Sequence, residues 1–163
     1  FVVVATEERA RFIAPYVTDP EKVLVIENCP AAAEIDLVER DFTKPLSILY
    51  QGRVSNRHGG RELLDLIENI NGRHQVAIVG PVDPLLLAPI QALQDKQLLS
   101  YRGYVPRADL ADLRRQADIG LLCWNDGSNN TRLAAPNKLY EYMASGLVVV
   151  SIANTSARSR LPP

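Results

Sequence analysis

From Leu46 onward two rhythms alternate along the chain, and that alternation constrains the fold more than any other feature. Five short apolar runs read as strands: LSILY (46–50), QVAIVG (75–80), LLSYRG (98–103), IGLLCW (119–124) and LVVVSI (147–152). Between them lie four segments read as helices: RELLDLIENI (61–70), residues 84–95, RADLADLRRQAD (107–118) and PNKLYEYMASG (136–146). Several of the strands are apolar throughout, as strands are when both faces are covered. Such a strand–helix repeat implies an α/β fold with a doubly wound parallel sheet. Pro84 and Pro89 predict that residues 84–95 form two pieces, because proline suits a first turn and breaks an interior.

Ahead of Leu46 the pattern is less regular. FVVVA reads as a buried strand, Thr6 as the N-cap of a helix TEERARFIAPYV, and KVLVIE (22–27) as a second strand. Residues 28–45 hold proline, alanine and charge without periodicity and read as a connector. Phe1 opens directly on a strand pattern and SARSRLPP closes without a helix, so the sequence is read as a piece of a longer protein. Residues 1–45 would be one unit with its connector, and 46–163 a second, truncated one.

Composition narrows the function. The 163 residues are 47% hydrophobic and 23% charged, enough for a real core. A formal net charge of −1 argues against a general electrostatic binder of nucleic acid. No apolar run approaches the roughly 18 residues of a membrane span, and no signal peptide is read. The two cysteines, Cys29 and Cys123, lie in or beside strand-like runs and read as buried free thiols.

A doubly wound sheet binds ligands outside the carboxyl ends of its strands. Here those ends are the loops 51–60, 81–84, 104–107 and 125–136. The first, QGRVSNRHGG, sets Arg53, Arg57 and His58 among Gly52, Gly59 and Gly60, just before a helix. Glycines let backbone N–H groups approach an anion, the helix start adds partial positive charge, and arginine offers paired donors to phosphate. A diphosphate cradle and a flexible basic turn both fit. The loop is neither a Walker loop nor a GxGxxG fingerprint. The fourth, NDGSNNTRLAAP, is long for such a connection and suits closure over a ligand. Its lone Asp126 reads as turn chemistry, so no metal site is expected. His74 reads as solvated, and no Ser-His-Asp or Cys-His set is evident.

PNKLYEYMASG carries one further question. Leu139, Tyr142 and Met143 share a helix face, while Lys138 and Glu141 fall on another. A carboxylate one turn past a lysine is either a surface ion pair, worth about 0.2–0.5 kcal/mol, or a ligand contact.

Taken together, YQGRVSNRHGG, VAIVG, YRGYVPRADLADLRRQADIGLLCW and above all PNKLYEYMASGLVVVS resemble the donor-binding half of the retaining glycosyltransferases of family 4, the group 1 family. The resemblance covers residues 46–152. It implies a Rossmann-like half of a two-domain GT-B fold, with residues 1–27 closing the acceptor-binding half. By position, Arg53 would hold the donor diphosphate. His58 stands where the family commonly has lysine, with Arg57 beside it. Glu141 matches the second glutamate of the family's paired motif, a clamp on the ribose, while the first is replaced by Leu133. Asn137 and backbone groups of 133–137 would substitute for it. Tyr104 and Val105 fall where the family contacts the base, and Gly52 and Lys138 complete the donor set.

The function so implied is transfer of a hexose-like unit from a nucleotide sugar, with retention, to a lipid-linked, polysaccharide or other acceptor. Arg53 and Glu141 would be the residues on which catalysis depends. No metal and no cofactor beyond the donor substrate are expected. The setting would be cytoplasmic, or peripheral at the inner face of the membrane through the missing half. A nucleotide-sugar epimerase of similar fold and a non-enzymatic Rossmann-like binding module are the rival readings.

Overall fold

A computed structural model describes residues 1–123, 128–151 and 160. The chain opens with β1 (Val2–Val4), α1 (Glu7–Ile13) and β2 (Val23–Val25). Thr6 caps α1, its hydroxyl accepting the N–H of Arg9 at 3.0 Å, with Glu7 and Glu8 in the first turn where the helix dipole favours them. The helix then tightens into a 3₁₀ turn, Ala14–Tyr16. β1 and β2 pair in parallel as a two-stranded sheet.

The second unit follows the expected alternation. Its elements are β3 (Ser47–Gln51), α2 (Gly60–Ile70), β4 (Gln75–Val79), α3 (Pro84–Asp95), β5 (Ser100–Tyr101), α4 (Arg107–Gln116), β6 (Ile119–Leu122), α5 (Asn129–Arg132), α6 (Asn137–Ala144) and β7 (Val148–Ser151). The sheet is parallel with order β5-β4-β3-β6-β7. From β3 the chain builds outward to β5, then returns to the far side of β3 and builds the other way. The reversal makes the β3–β6 border the topological switch point, where such sheets open a crevice.

Both faces of the sheet are covered over β3, β4 and β6, which is why those strands are largely apolar, whereas Val148 and Val150 of the edge strand β7 are exposed. Ile48, Tyr50, Val76 and Ile78 pack on one face with Leu63 and Ile67 of α2 and Ile90 and Leu93 of α3. Leu49, Val79 and Leu122 pack on the other with Leu139 and Tyr142 of α6. Each large apolar side chain so buried contributes about 1.5–3 kcal/mol.

Some local expectations are corrected. Residues 84–95 form one helix with Pro89 inside it. Pro84 takes the first position, and the carbonyl that Pro89 leaves without a donor belongs to Leu85, which is 81% exposed and open to water. Cys29 is exposed, because the connector carries it off the end of β2; Cys123 is a buried free thiol. His74 is half-buried, and its Nδ1 accepts the N–H of Leu46 at 3.2 Å. Met143 turns outward while Leu139, Tyr140 and Tyr142 are buried. A short helix, α5, forms inside the long 125–136 loop, capped by Ser128. Trp124, Asp126 and Ile152 lie outside the described residues. No helix among those described is long and apolar enough to cross a membrane.

Candidate functional site

The switch point opens into a cavity of about 340 Å³. Its walls come from two places. One is the end of β3 and the turn after it, with Tyr50, Gln51, Gly52, Arg53 and His58. The other is the start of α6, with Pro136, Asn137, Lys138 and Glu141. Two other hollows lie at the opposite, amino-terminal edge, around Ser47, Gln75 and Ser100. A doubly wound sheet places ligands at the carboxyl edge.

Local chemistry builds the first wall. Gly52 sits at φ +129°, a conformation closed to side chains, and a Cβ there would lie 3.5 Å from Lys138 Nζ. Arg53 follows, its carbonyl accepting the hydroxyl of Tyr50 at 2.9 Å. Its guanidinium bonds Asp83 Oδ1 at 3.0 Å. That partner comes from the β4–α3 loop and was not read from the sequence. His58 Nδ1 lies 2.8 Å from Ser55 Oγ. Burial, and then the nearby charges of Lys138 and Arg57, lower the His58 pKa below its ordinary value. The imidazole is therefore neutral at pH 7.

The second wall hangs on Tyr142. Its ring lies against Gly120 of β6, with no room for a Cβ there. Its hydroxyl accepts the backbone N–H of Gln51 at 2.8 Å. This fixes α6 against the end of β3 and sets Glu141 beside Gln51. The Gln51 amide donates to Glu141 Oε2 at 2.7 Å, and Arg114 of α4 reaches the same oxygen at 3.4 Å. The salt bridge of Glu141 is thus to Arg114, which is largely buried, and the i,i+3 pair with Lys138 does not form. Lys138 Nζ instead lies 4.2 Å from the centroid of the Tyr50 ring. Burial lowers its pKa to about 8. It is still mostly charged at pH 7, although burial deprives it of water.

Of the residues singled out from the sequence, Gly52, Arg53, His58, Asn137, Lys138 and Glu141 converge on the cavity. Arg57 is exposed and outside it. Tyr104 is 83% exposed, and Val105 packs against the α4–α6 side of the core; neither lines the cavity. Leu133 is buried, its carbonyl accepting the Thr6 hydroxyl at 3.2 Å. Asn137 Oδ1 accepts the Asn28 amide at 2.7 Å, joining the connector to the start of α6. Gln51, Asp83 and Arg114 were missed. Gln51 carried a signal: it is the polar residue that ends an apolar strand. Asp83 carried a weak one, its place in the 81–84 loop at the carboxyl edge, whereas Arg114 carried none, because it arrives from another layer.

The helix starts of α2 and α6, Arg53 and the Lys138 ammonium all bring positive potential to this crevice. Among the described residues that line it, Glu141 is the one carboxylate. The arrangement suits an anionic ligand that also carries hydroxyls.

Residues 45–160 match the sequence model of glycosyl transferases group 1. Comparison with curated proteins finds no match. Among solved structures the chain is similar to HepE of Anabaena, solved with UDP-glucose, with a TM-score of 0.76, 15% identity, and coverage of 100% of this chain and 47% of that one. It is similar to AviGT4, a glycosyltransferase involved in avilamycin A biosynthesis, with a TM-score of 0.68, 17% identity, and coverage of 93% and 44%. It is similar also to the pneumococcal O-GlcNAc transferase GtfA, solved with UDP and GlcNAc, with a TM-score of 0.66, 18% identity, and coverage of 93% and 30%. The chain spans less than half the length of each of these proteins. At such identities the likeness is one of fold.

Proposed function

The chain belongs to the group 1 glycosyl transferases, and from that premise we propose that its switch-point cavity binds the nucleoside diphosphate of a sugar donor. One observation carries the reading: two cations, Arg53 and Lys138, and the carboxylate of Glu141 line one and the same cavity. A carboxylate can accept the protons of neighbouring ribose hydroxyls, which no neutral side chain does as well. The diphosphate would lie over Gly52, toward the start of α6. Because glycosyl transfer builds negative charge on the departing diphosphate, preorganised cations and helix N-termini lower the barrier there. The Asn137 side chain and the backbone of 133–137 would face the sugar. The fold neighbours solved with UDP and UDP-glucose support this choice of ligand class.

The reading extends to a retaining transfer of a hexose-like unit, with residues 46–163 as the donor-binding part and 1–45 as the edge of an acceptor-binding part. The chain by itself would then bind donor without efficient turnover. Titration calorimetry and thermal shift with UDP, other nucleoside diphosphates and UDP-sugars test the proposal. Millimolar ligand on a micromolar site should stabilise the fold by about 4 kcal/mol. No heat and no shift with any nucleoside diphosphate would overturn it.

A further inference from the structure

Arg40 lies in the connector, outside the cavity, yet its guanidinium reaches the ends of both helices that supply the Arg114–Glu141 pair. Nε donates to the Gly146 carbonyl at 3.1 Å and Nη2 to that of Ser145 at 2.7 Å, just past the end of α6. Nη1 donates to the Ala117 carbonyl and, at 3.3 Å, to that of Arg115, while Nη2 reaches the Arg114 carbonyl at 3.4 Å, all at the end of α4. The last carbonyls of a helix lack intrahelical donors and form the negative end of its dipole. A planar fork of five N–H groups can bridge two such ends, and a lysine ammonium cannot span both. Asp36 adds to the seam. Its N–H donates to the Ala144 carbonyl at 2.8 Å, and its carboxylate meets Arg115 at 2.6 Å.

The seam fixes the spacing of α4 and α6. The Arg114 side chain crosses that gap, reaching Ser145 Oγ at 3.2 Å, Gln51 Oε1 at 3.2 Å and Glu141 Oε2 at 3.4 Å. Arg40 therefore holds the backbone of Arg114 and of Ser145, two residues that the Arg114 side chain also joins. We propose that Arg40 is a positioning residue: it clamps α4 to α6 so that Arg114 and Gln51 hold Glu141 at the cavity, and it ties this geometry to the connector. The inference rests on Glu141 facing the nucleoside end of the ligand.

The test uses the whole chain with Arg40→Lys, which keeps the charge, and Arg40→Ala. Binding of UDP and of inorganic pyrophosphate is titrated, and protection of the Arg114 Nε–H from solvent exchange is followed by NMR. Arg40→Lys should weaken UDP about five- to tenfold, the scale of one hydrogen bond, and leave pyrophosphate within about twofold. It should cost nothing further in a Glu141→Gln background, and Arg114 Nε–H should lose protection. Equal losses for UDP and pyrophosphate, or additive losses with Glu141→Gln, would mean a general structural role and overturn the proposal. If the unaltered chain binds no UDP, the donor reading fails by itself. The Arg114 signal then decides the clamp, and unchanged protection in Arg40→Lys overturns it. Should Arg40→Ala not fold, Arg40→Lys carries the comparison.

Discussion

Gln51 and Glu141 meet across the switch point, the side-chain amide of one donating to Oε2 of the other at 2.7 Å. Arg114 also bonds Oε2, and among the described residues Oε1 receives no hydrogen bond. One oxygen is anchored, and Glu141 lines the cavity. Glu141→Gln should therefore lower UDP affinity by roughly 1–3 kcal/mol, the worth of hydrogen bonds to a charged group. Arg114 is only 12% exposed and loses its charge partner in this variant. Stability should then fall by about 1–2 kcal/mol, between the values for surface and buried pairs. Calorimetry and urea melts on the same samples separate the two effects. Full UDP affinity in the variant would leave Glu141 a structural partner of Arg114 alone.

Arg53 and Asp83 form an exposed pair, with side chains 57% and 38% accessible. Such pairs contribute about 0–1 kcal/mol, so Arg53→Ala should leave the melting temperature nearly unchanged. It should weaken UDP by about 1.5–3 kcal/mol per lost charged hydrogen bond and uridine very little. Asp83 competes with phosphate for the same guanidinium. Asp83→Asn should thus tighten UDP by up to about 1 kcal/mol. Equal losses for UDP and uridine in Arg53→Ala would show that the arginine shapes the loop and does not hold phosphate.

The sheet was legible because its signals are local. Apolar runs and the helical spacing of Leu63, Leu64 and Ile67 sit in neighbouring residues, and cover on both faces left the central strands β3, β4 and β6 without polar alternation. The glycine-rich loop and the Glu141 helix were legible for the same reason. What escaped depends on tertiary approach. Glu141 and Lys138 share a helix, and helical spacing alone pairs them; the sheet instead presents Lys138 to Tyr50 and delivers Arg114 from another helix. Pro89 misled because proline breaks a helix only where the carbonyl it orphans cannot reach water. His74 and Cys29 were misjudged because their exposure is set by how the connector runs, which no periodicity reports.

Tyr142 fits against β6 only because residue 120 is glycine. Gly120→Ala should push the ring outward, costing about 1–3 kcal/mol as overpacking does. The same displacement would loosen the Tyr142 hydroxyl from the Gln51 N–H and carry Glu141 away from Gln51. UDP affinity should fall with stability, whereas pyrophosphate binding should change less. A thermal melt and paired titrations check this. Unaltered stability would mean that the sheet opens to admit the methyl group.

Lys138 makes binding depend on pH. Its native pKa is lowered to about 8 by burial. Below that value the ammonium is charged and can meet a diphosphate; above it the amine is neutral. UDP affinity should therefore fall as pH rises from about 7 to 9, by at most about tenfold per pH unit from one proton. Folding stability has the opposite dependence. The unfolded lysine keeps its proton up to about pH 10.4, so between about 8 and 10.4 the unfolded chain binds more protons than the native one, and stability rises with pH. Fully present above the upper value, that contribution is lost as pH falls to about 8. Lys138→Met removes the titrating group while keeping its apolar stem. It should flatten both profiles, leaving weak, pH-independent UDP binding over this range. Calorimetric titrations at three pH values, on the chain and on the variant, decide the matter. A UDP affinity in the unaltered chain that does not change between pH 7 and 9 would remove Lys138 from the phosphate site.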